Sequence, residues 1–314
     1  MSQVNTPILE YLCRHHHQLR RWRPDDARTR ELAMLVEQRR HFVDERTAIT
    51  NRLQAQLKAY FPQALACLGD NLATRMAADF LLKWPDLASL QRARRDTVRR
   101  FFHAHNVRRA DRIEQRLDLI DQATPLTDDP AVIRVGIEVT QALARLLREL
   151  TATVEKLDKR IRQVFAEHED AHLFAQLPGA GKALAPRLLV AFGTDRERYA
   201  DAAEIQTFAG IAPVTKRSGR QCVVQRRWAC PNFLRQTFHE FAQHSIGFSE
   251  WARAYYRLQC DRGKHHHAAV RALAYKWIRV LFACWKTRTA YSEQHYLARL
   301  RQRDATLCQY LSPT

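Results

Sequence analysis

Hydrophobic positions along this chain recur at helical steps and almost nowhere at strand alternation. From Ala27 to Tyr60 no Gly or Pro intervenes. Leu32, Leu35, Phe42, Ile49, Leu53 and Tyr60 fall at steps of three, four or seven and their multiples, which predicts one long helix. Pro24-Asp25-Asp26 supplies its start, with acids near the positive end of the helix dipole, and Pro62 closes it. The seam is imperfect, because Arg39 and Arg46 occupy intervening heptad sites. A second seam runs through Leu143, Leu147, Leu150, Val154, Leu157, Ile161 and Val164 at unbroken spacings of four and three. Thr127-Asp128-Asp129-Pro130 starts it, with Pro at the first helical position. Three heptads of this kind predict a coiled coil. A helix of about 38 residues, near 130–168, would be roughly 57 Å long. The two long helices, near 27–60 and 130–168, are expected to pair with each other or with a second copy.

Between them, residues 63–125 read as short helices. Asp86 to Leu90 and Asp96 onward are separate segments around a small core carrying Phe101, Phe102 and Leu117. Beyond the second seam come four further pieces. LPGAGKALAPRLLVAFG (177–193) carries Gly179-x-Gly181 followed by a helical run. The glycines permit a tight turn, and the helix after it offers free N–H groups to a phosphate, with Lys182 beside them. This is a helix-hairpin-helix-like pattern, and a plain helix–helix turn is the alternative. IQTFAGIAPVTKRSGR (205–220) predicts a short helix ending at Gly210, a Pro turn, and a basic cluster of Lys216, Arg217, Ser218, Gly219 and Arg220. A hydroxyl among cations suits attack on a phosphodiester. On the residues alone, the plainer reading of a turn in a basic loop is preferred. Pro231 or Asn232 then starts a helix with Phe233, Leu234, Phe238 and Phe241, entered through Arg226, Arg227 and Arg235. Two amphipathic helices follow, broken near Gly263. Tyr255, Tyr256, Trp277 and Trp285 fit an apolar face better than a base-stacking platform.

Charge changes this picture from a helical protein to one built for a polyanion. The 314 residues carry 51 Lys+Arg against 33 Asp+Glu, a formal charge of +18. Of the basic residues 42 are Arg and 9 Lys, and the planar guanidinium fork suits phosphate. Arg92, Arg94, Arg95, Arg99, Arg100, Arg108 and Arg109 form the densest basic zone. It reads as a nucleic-acid surface, with a solvated face as the alternative. At 46% hydrophobic and 27% charged the chain has a globular balance. No apolar run is long enough to cross a membrane, and the N-terminus does not read as a secretory signal. The seven cysteines include no CxxC pair and read as reduced thiols. A zinc site from Cys222, Cys230 and His265-His266-His267 is a minor alternative, because zinc spacings are tighter.

The order of these motifs carries more than any one of them. LPGAG, LAPRLLVAFG, FAGIAPVTKRSG, RRWACPNFLRQTF, WARAYY, RGK and AVRALAYKWIRVLF together resemble the C-terminal half of the DEDD insertion-sequence transposases of the Piv/MooV type, the IS-one-ten and IS-eleven-eleven group. The similarity runs from about Trp22 to Tyr296. The resemblance implies a mainly α chain with four parts: the end of a RuvC-like domain at 1–22, a helical and coiled-coil region at 23–168, a C-terminal transposase domain at 169–300 and a tail at 301–314. It implies transposition or site-specific recombination of insertion-sequence DNA, with Ser218 as the catalytic serine that links to DNA. The glycine turn and the basic cluster, read on their own residues, make Gly179, Gly181, Lys182, Lys216, Arg217, Gly219, Arg220, Arg226, Arg227 and Arg235 the candidates for DNA contact. The same resemblance implies a structured non-coding RNA as second partner, while the long helices make a homo-oligomer, and the scattered thiols a cytoplasmic, nucleoid-associated location, the expectation.

Family members also hold Mg²⁺ on four acids of the RuvC-like domain. This chain is expected to start where that domain ends, with Asn5 nearest to the last acid's position, so no metal site and no cofactor is expected here. The chain then reads as a truncated, catalytically impaired transposase. A non-enzymatic nucleic-acid-binding or dimerisation module, inhibiting a full-length copy, is the alternative. A metal-free serine recombinase is a third reading, weakened because no acid–base pair accompanies Ser218.

Overall fold

The computed structural model describes residues 6–18, 23–219, 221–303 and 305–311. In chain order, α1 is Thr6–His15, α2 Ala27–Tyr60, α3 Gln63–Leu68, α4 Arg75–Lys83, α5 Leu87–Gln91, α6 Arg95–Ala104, α7 Ala110–Gln122 and α8 Pro130–Ala166. Then come α9 Ala171–Ala175, α10 Gly181–Phe192, α11 Ala202–Phe208, β1 Val214–Ser218 and β2 Gln221–Gln225. The chain finishes with α12 Asn232–Ser245, α13 Glu250–Asp261, α14 His266–Thr287, α15 Glu293–Arg303 and α16 Ala305–Cys308. The fold is mainly α, as the hydrophobic spacing predicts. No helix among the described residues is long and apolar enough to cross a membrane.

The chain divides into two compact units, one of Met1–Met34 with Ile161–Thr314 and one of Leu35–Arg160. In the Leu35–Arg160 unit, α2 and α8 pair antiparallel. Arg39 Nε donates to Asp158 Oδ1 at 2.5 Å, and the Tyr60 hydroxyl donates to Thr140 Oγ1 at 2.9 Å. The arginine that interrupts the α2 seam therefore has its acid on the facing helix. Gly136 lets the Tyr60 ring lie against α8, where an added Cβ would stand 2.9 Å from that ring. Burial pushes the Tyr60 hydroxyl up to about 12. Below this pair, Phe80, Trp84, Phe101 and Phe102 stack edge to face around a core that includes Leu117. The predicted break between the short segments is real. Asp86 and Ser89 close a capping box on α5, and α6 begins afresh at Arg95.

The other unit is organised by α10, α12 and α14. Phe192 packs on Phe174, Phe238 and Trp285, and Trp277 packs on Phe241 and Trp251. Trp251, Trp277 and Trp285 are fully buried. Each satisfies its indole N–H: Trp251 on the Tyr291 hydroxyl, Trp277 on Ser245 Oγ and Trp285 on the Gly193 carbonyl. Trp277 and Trp285 are core, as their spacing predicts, and Trp251 joins them. Asp26 caps α2 through the amides of Arg28 and Thr29. Asp25 accepts from Arg198 at 2.6 Å and from the Thr194 amide at 2.8 Å. The acids that mark the α2 start in the sequence thus also anchor the α10–α11 connection.

Residues 214–225 differ from the expected basic loop. They form an antiparallel hairpin in which Val214 pairs with Gln225 and Ser218 with Gln221. No apolar alternation announces it, because both strands are almost wholly exposed. An isolated two-stranded ribbon buries too little to be stable in itself, so this one depends on its closing turn and on its base. Gly219 closes the turn at φ +55°, a conformation glycine adopts without a Cβ penalty.

Candidate nucleic-acid interface

Ser218 ends β1 at the tip of the ribbon, exposed and with no side-chain hydrogen bond among the described residues. Strand alternation sorts the cations that flank it in sequence. Lys216 shares the face of Ser218, together with the cross-strand Val223 and Gln221, while Arg217 lies on the opposite face beside Cys222. Arg220 lies outside the described residues, as does Asn5. The ribbon's base leads into Arg226, whose guanidinium lies 4.4 Å from the ring of Trp228, itself 74% exposed. This stacked, solvent-facing pair is the kind of surface that takes a nucleobase or a sugar. The half-buried Arg227 has a buried Nε with no partner among the described residues. Arg235, in the first turn of α12, donates to Cys230 Sγ at 3.5 Å and to Asn232 Oδ1 at 2.6 Å. Cys230 in turn sits over Gly210, where any Cβ would overlap its sulfur.

The glycine turn 179–182 is a separate feature. Gly179 has φ +79°, and a Cβ there would stand 2.9 Å from the His244 carbonyl group. Its lack of a side chain serves packing on the C-terminal end of α12, about 13 Å along that helix from Arg235 at 1.5 Å per residue. Gly181 and Lys182, by contrast, border open space and solvent.

Three of the seven arginines in the Arg92–Arg109 zone are answered by its own acids. Arg95 pairs with Glu114, Asp118 and Asp121, and Arg99 with Glu114 and Asp96. Arg109 pairs with Asp111. Arg92, Arg94, Arg100 and Arg108 remain exposed.

A second group of cations lies where the sequence pattern by itself marks only two residues. A cleft of about 330 Å³ is lined by Arg226, Arg235, His239, Glu240, His267 and Arg271. An adjoining one of about 610 Å³ shares Arg226 and Arg271 and adds Lys264 and Tyr255. Arg271, His239 and His267 have only weak sequence signals. Their i,i+4 spacings, Arg235 to His239 and His267 to Arg271, place each pair on one helix face, but only the fold brings the two faces together. Among the described residues no three His, Cys, Asp or Glu side chains converge to hold a metal ion. That holds for Cys222, Cys230 and the His265–His267 run.

Comparison with known proteins places this surface in context. The family described as Transposase IS116/IS110/IS902 matches residues 171–257, which spans the glycine turn, the ribbon and α12. A transposase family of the DEDD type found in IS110 elements matches residues 7–62. A Streptomyces coelicolor protein of the IS117 mini-circle, named as a putative transposase, is 30% identical over 288 residues, covering 90% of this chain and 69% of that protein. The insertion element IS110 43.6 kDa protein of the same organism is 28% identical over 280 residues, covering 88% of this chain and 68% of that protein. The IS900 42 kDa protein of Mycobacterium paratuberculosis is 27% identical over 285 residues, covering 90% and 71%. The chain belongs to the IS110/IS116/IS902 family of insertion-element transposases. The DEDD-type match covers residues 7–62, past the 22 residues that the resemblance alone assigns to the end of a RuvC-like domain, so the expected loss of that domain is not confirmed.

Proposed function

We propose that the chain binds the DNA of its insertion element through the Ile161–Thr314 part and presents Ser218 as the nucleophile of strand exchange. The observation that carries this reading is the ribbon itself: an exposed hairpin that holds a hydroxyl at its tip with a cation on the same face. In the step proposed, the Ser218 Oγ–phosphorus bond forms and one phosphorus–oxygen ester bond of the strand breaks. The proton passes from the serine hydroxyl to the departing sugar oxygen. Lys216 offsets charge on the non-bridging oxygens. The +18 charge supports a nucleic-acid partner, and the same charge suits a structured RNA as companion to the DNA.

The test is covalent trapping on nicked, end-labelled DNA carrying the ends of the element. Denaturing gels should reveal a labelled protein band that disappears in Ser218→Ala and weakens in Lys216→Ala, with DNA affinity nearly unchanged in the serine variant. A band that survives Ser218→Ala overturns the nucleophile. A second reading has its own observation. Ser218 has no hydrogen-bonding base beside it among the described residues, and a hydroxyl without a base is a weak nucleophile. On that reading the chain is a binding module that competes with a complete, active copy. DNA binding with no adduct under any condition, together with inhibition of such a copy, supports it.

A further inference from the structure

The cleft beside the ribbon's base holds an imbalance that the protein does not resolve by itself. Three arginines and two histidines face one carboxylate, Glu240, and Glu240 already accepts from Arg187 at 2.5 Å. Among the described residues Arg226, Arg235 and Arg271 form no ion pair. Arg271 is half-buried, and its guanidinium is held below its ordinary value first by burial and then by Arg226. His239 is held down first by burial, then by His267, Arg271 and His266. The rings of His239 and His267 lie 5.7 Å apart. Like charges gathered in a partly desolvated groove repel one another, and an entering anion relieves every pair at once.

We propose that the groove formed by Arg226, Arg235, His239, His267 and Arg271 is a phosphate clamp for the sugar–phosphate backbone of the DNA strand delivered to Ser218. This rests on the reading above that Ser218 acts on DNA. Two features choose a strand over a small anion. The two clefts adjoin through Arg226 and Arg271, and Lys264 extends the positive lining beyond them, so the groove is a track. The track also meets the ribbon at Gln225, four paired positions from Ser218. At about 3.3 Å per residue that is roughly 13 Å, and at about 3.4 Å of helix axis per phosphate on one strand the clamp would hold a phosphate about four nucleotides from the one attacked.

Fluorescence anisotropy with the full chain tests this, using a labelled 20-nucleotide DNA single strand, the duplex, and the RNA of the same sequence. Arg271→Gln should weaken DNA binding at least tenfold at 150 mM salt and reduce the slope of log affinity against log salt by about one. Its thermal midpoint without nucleic acid should equal or exceed the parent's, because a repelled charge has gone. Arg271→Lys should bind within about threefold of the parent. Arg279→Gln, an exposed site on the same helix outside both clefts, should change binding less than twofold. Parental DNA binding should also tighten between pH 7.5 and 6, as the incoming phosphate restores the proton on His239, which burial and its neighbours His266, His267, Arg271, Arg226 and Arg235 disfavour and which Glu240 alone among the lining groups favours. The proposal is overturned if Arg271→Gln loses no more than Arg279→Gln. It is also overturned if the RNA arm alone is weakened, which would assign the groove to RNA. A parent chain that binds no DNA refutes the DNA-binding reading as well, so the two failures are distinguishable.

Discussion

Arg95 and Arg99 on α6 meet four carboxylates, Glu114, Asp118 and Asp121 on α7 and Asp96 on their own helix, whereas Arg226, Arg235 and Arg271 meet none among the described residues. In a linear count the first region is the more basic, and it is the one that reads as a nucleic-acid surface. Folding narrows the difference, because it answers three of the first region's seven arginines and, among the described residues, none of the second region's three. An amphipathic helix with Glu and Asp on its polar side lies against α6 and answers Arg95 and Arg99 there, while the sparser second group converges from three elements with one carboxylate that is engaged elsewhere. The lesson is that density of cations along a chain measures potential binding charge, and the distribution of acids across the fold decides how much of it is left for a partner.

The largest expected effect separates the two regions directly. The triple variant Arg226→Gln/Arg235→Gln/Arg271→Gln should lower DNA affinity by about 100-fold or more at 150 mM salt. It should flatten the salt slope by about 2.7, at ~0.9 for each phosphate that is no longer neutralised. The matching triple Arg95→Gln/Arg99→Gln/Arg109→Gln should stay within about threefold of the parent. Equal losses in the two triples would erase the contrast.

A smaller effect distinguishes a glycine that packs from a glycine that presents. Gly179→Ala combines left-handed strain with a collision against the His244 carbonyl and should destabilise the fold by about 2 kcal/mol or more. Gly219→Ala, with nothing within 4 Å of the added Cβ, carries only the strain and should cost about 1 kcal/mol. Denaturant midpoints measure both, and a larger loss at Gly219 would contradict the packing role given to Gly179.

Much of the scaffold is legible in the sequence because it is local. Asp26 before α2, the Asp86–Ser89 box before α5 and Pro130 at the start of α8 each act within one turn of the residues they cap. The seam residues Leu143, Leu147, Val154 and Ile161 are buried as their spacing demands. The ribbon is not legible, since an exposed strand pair has no buried face to write a period of two into the sequence. The groove is hidden for a different reason. Arg226, His239 and Arg271 are widely separated in the chain, and their significance lies in the acids that are not near them. Even Ser218, marked by resemblance, is set in a strand that parts Lys216 from Arg217.

Acid provides a third test, through the same logic of charge answered by the fold. Burial by itself would raise Asp26, but hydrogen bonds from Thr29, Thr194 and Arg28 outweigh it and hold the carboxyl at about 2, against 3.8 ordinarily. A depressed folded value means that the contribution is fully present above about pH 4 and is lost as pH falls through about 2. The site is largely exposed, so after screening the contribution should be about 1 kcal/mol. Asp26→Asn should therefore be less stable than the parent at pH 7, with the gap closing by pH 2. A gap that persists unchanged at pH 2 would show that the charge is not what Asp26 contributes.

The smallest effect is the most pointed, because it tries to turn one region into the other. If the Arg95–Arg99 zone is quiet only because α7 answers it, then Glu114→Gln with Asp118→Asn should awaken it. Arg95 would keep Asp121 and Arg99 would keep Asp96, so the release is partial, amounting to about one neutralised phosphate. Duplex DNA affinity at 150 mM salt should then rise about threefold and the salt slope should steepen by up to about one. The gain should be the same for unrelated DNA sequences, since interactions with the backbone carry no base information. It should also persist in the background of Arg271→Gln, because the two regions would bind through different phosphates. If neutralising the two acids leaves affinity and slope unchanged, the zone is silent for reasons other than its carboxylates, and the contrast with the Arg226–Arg271 groove would have to rest on shape instead of charge.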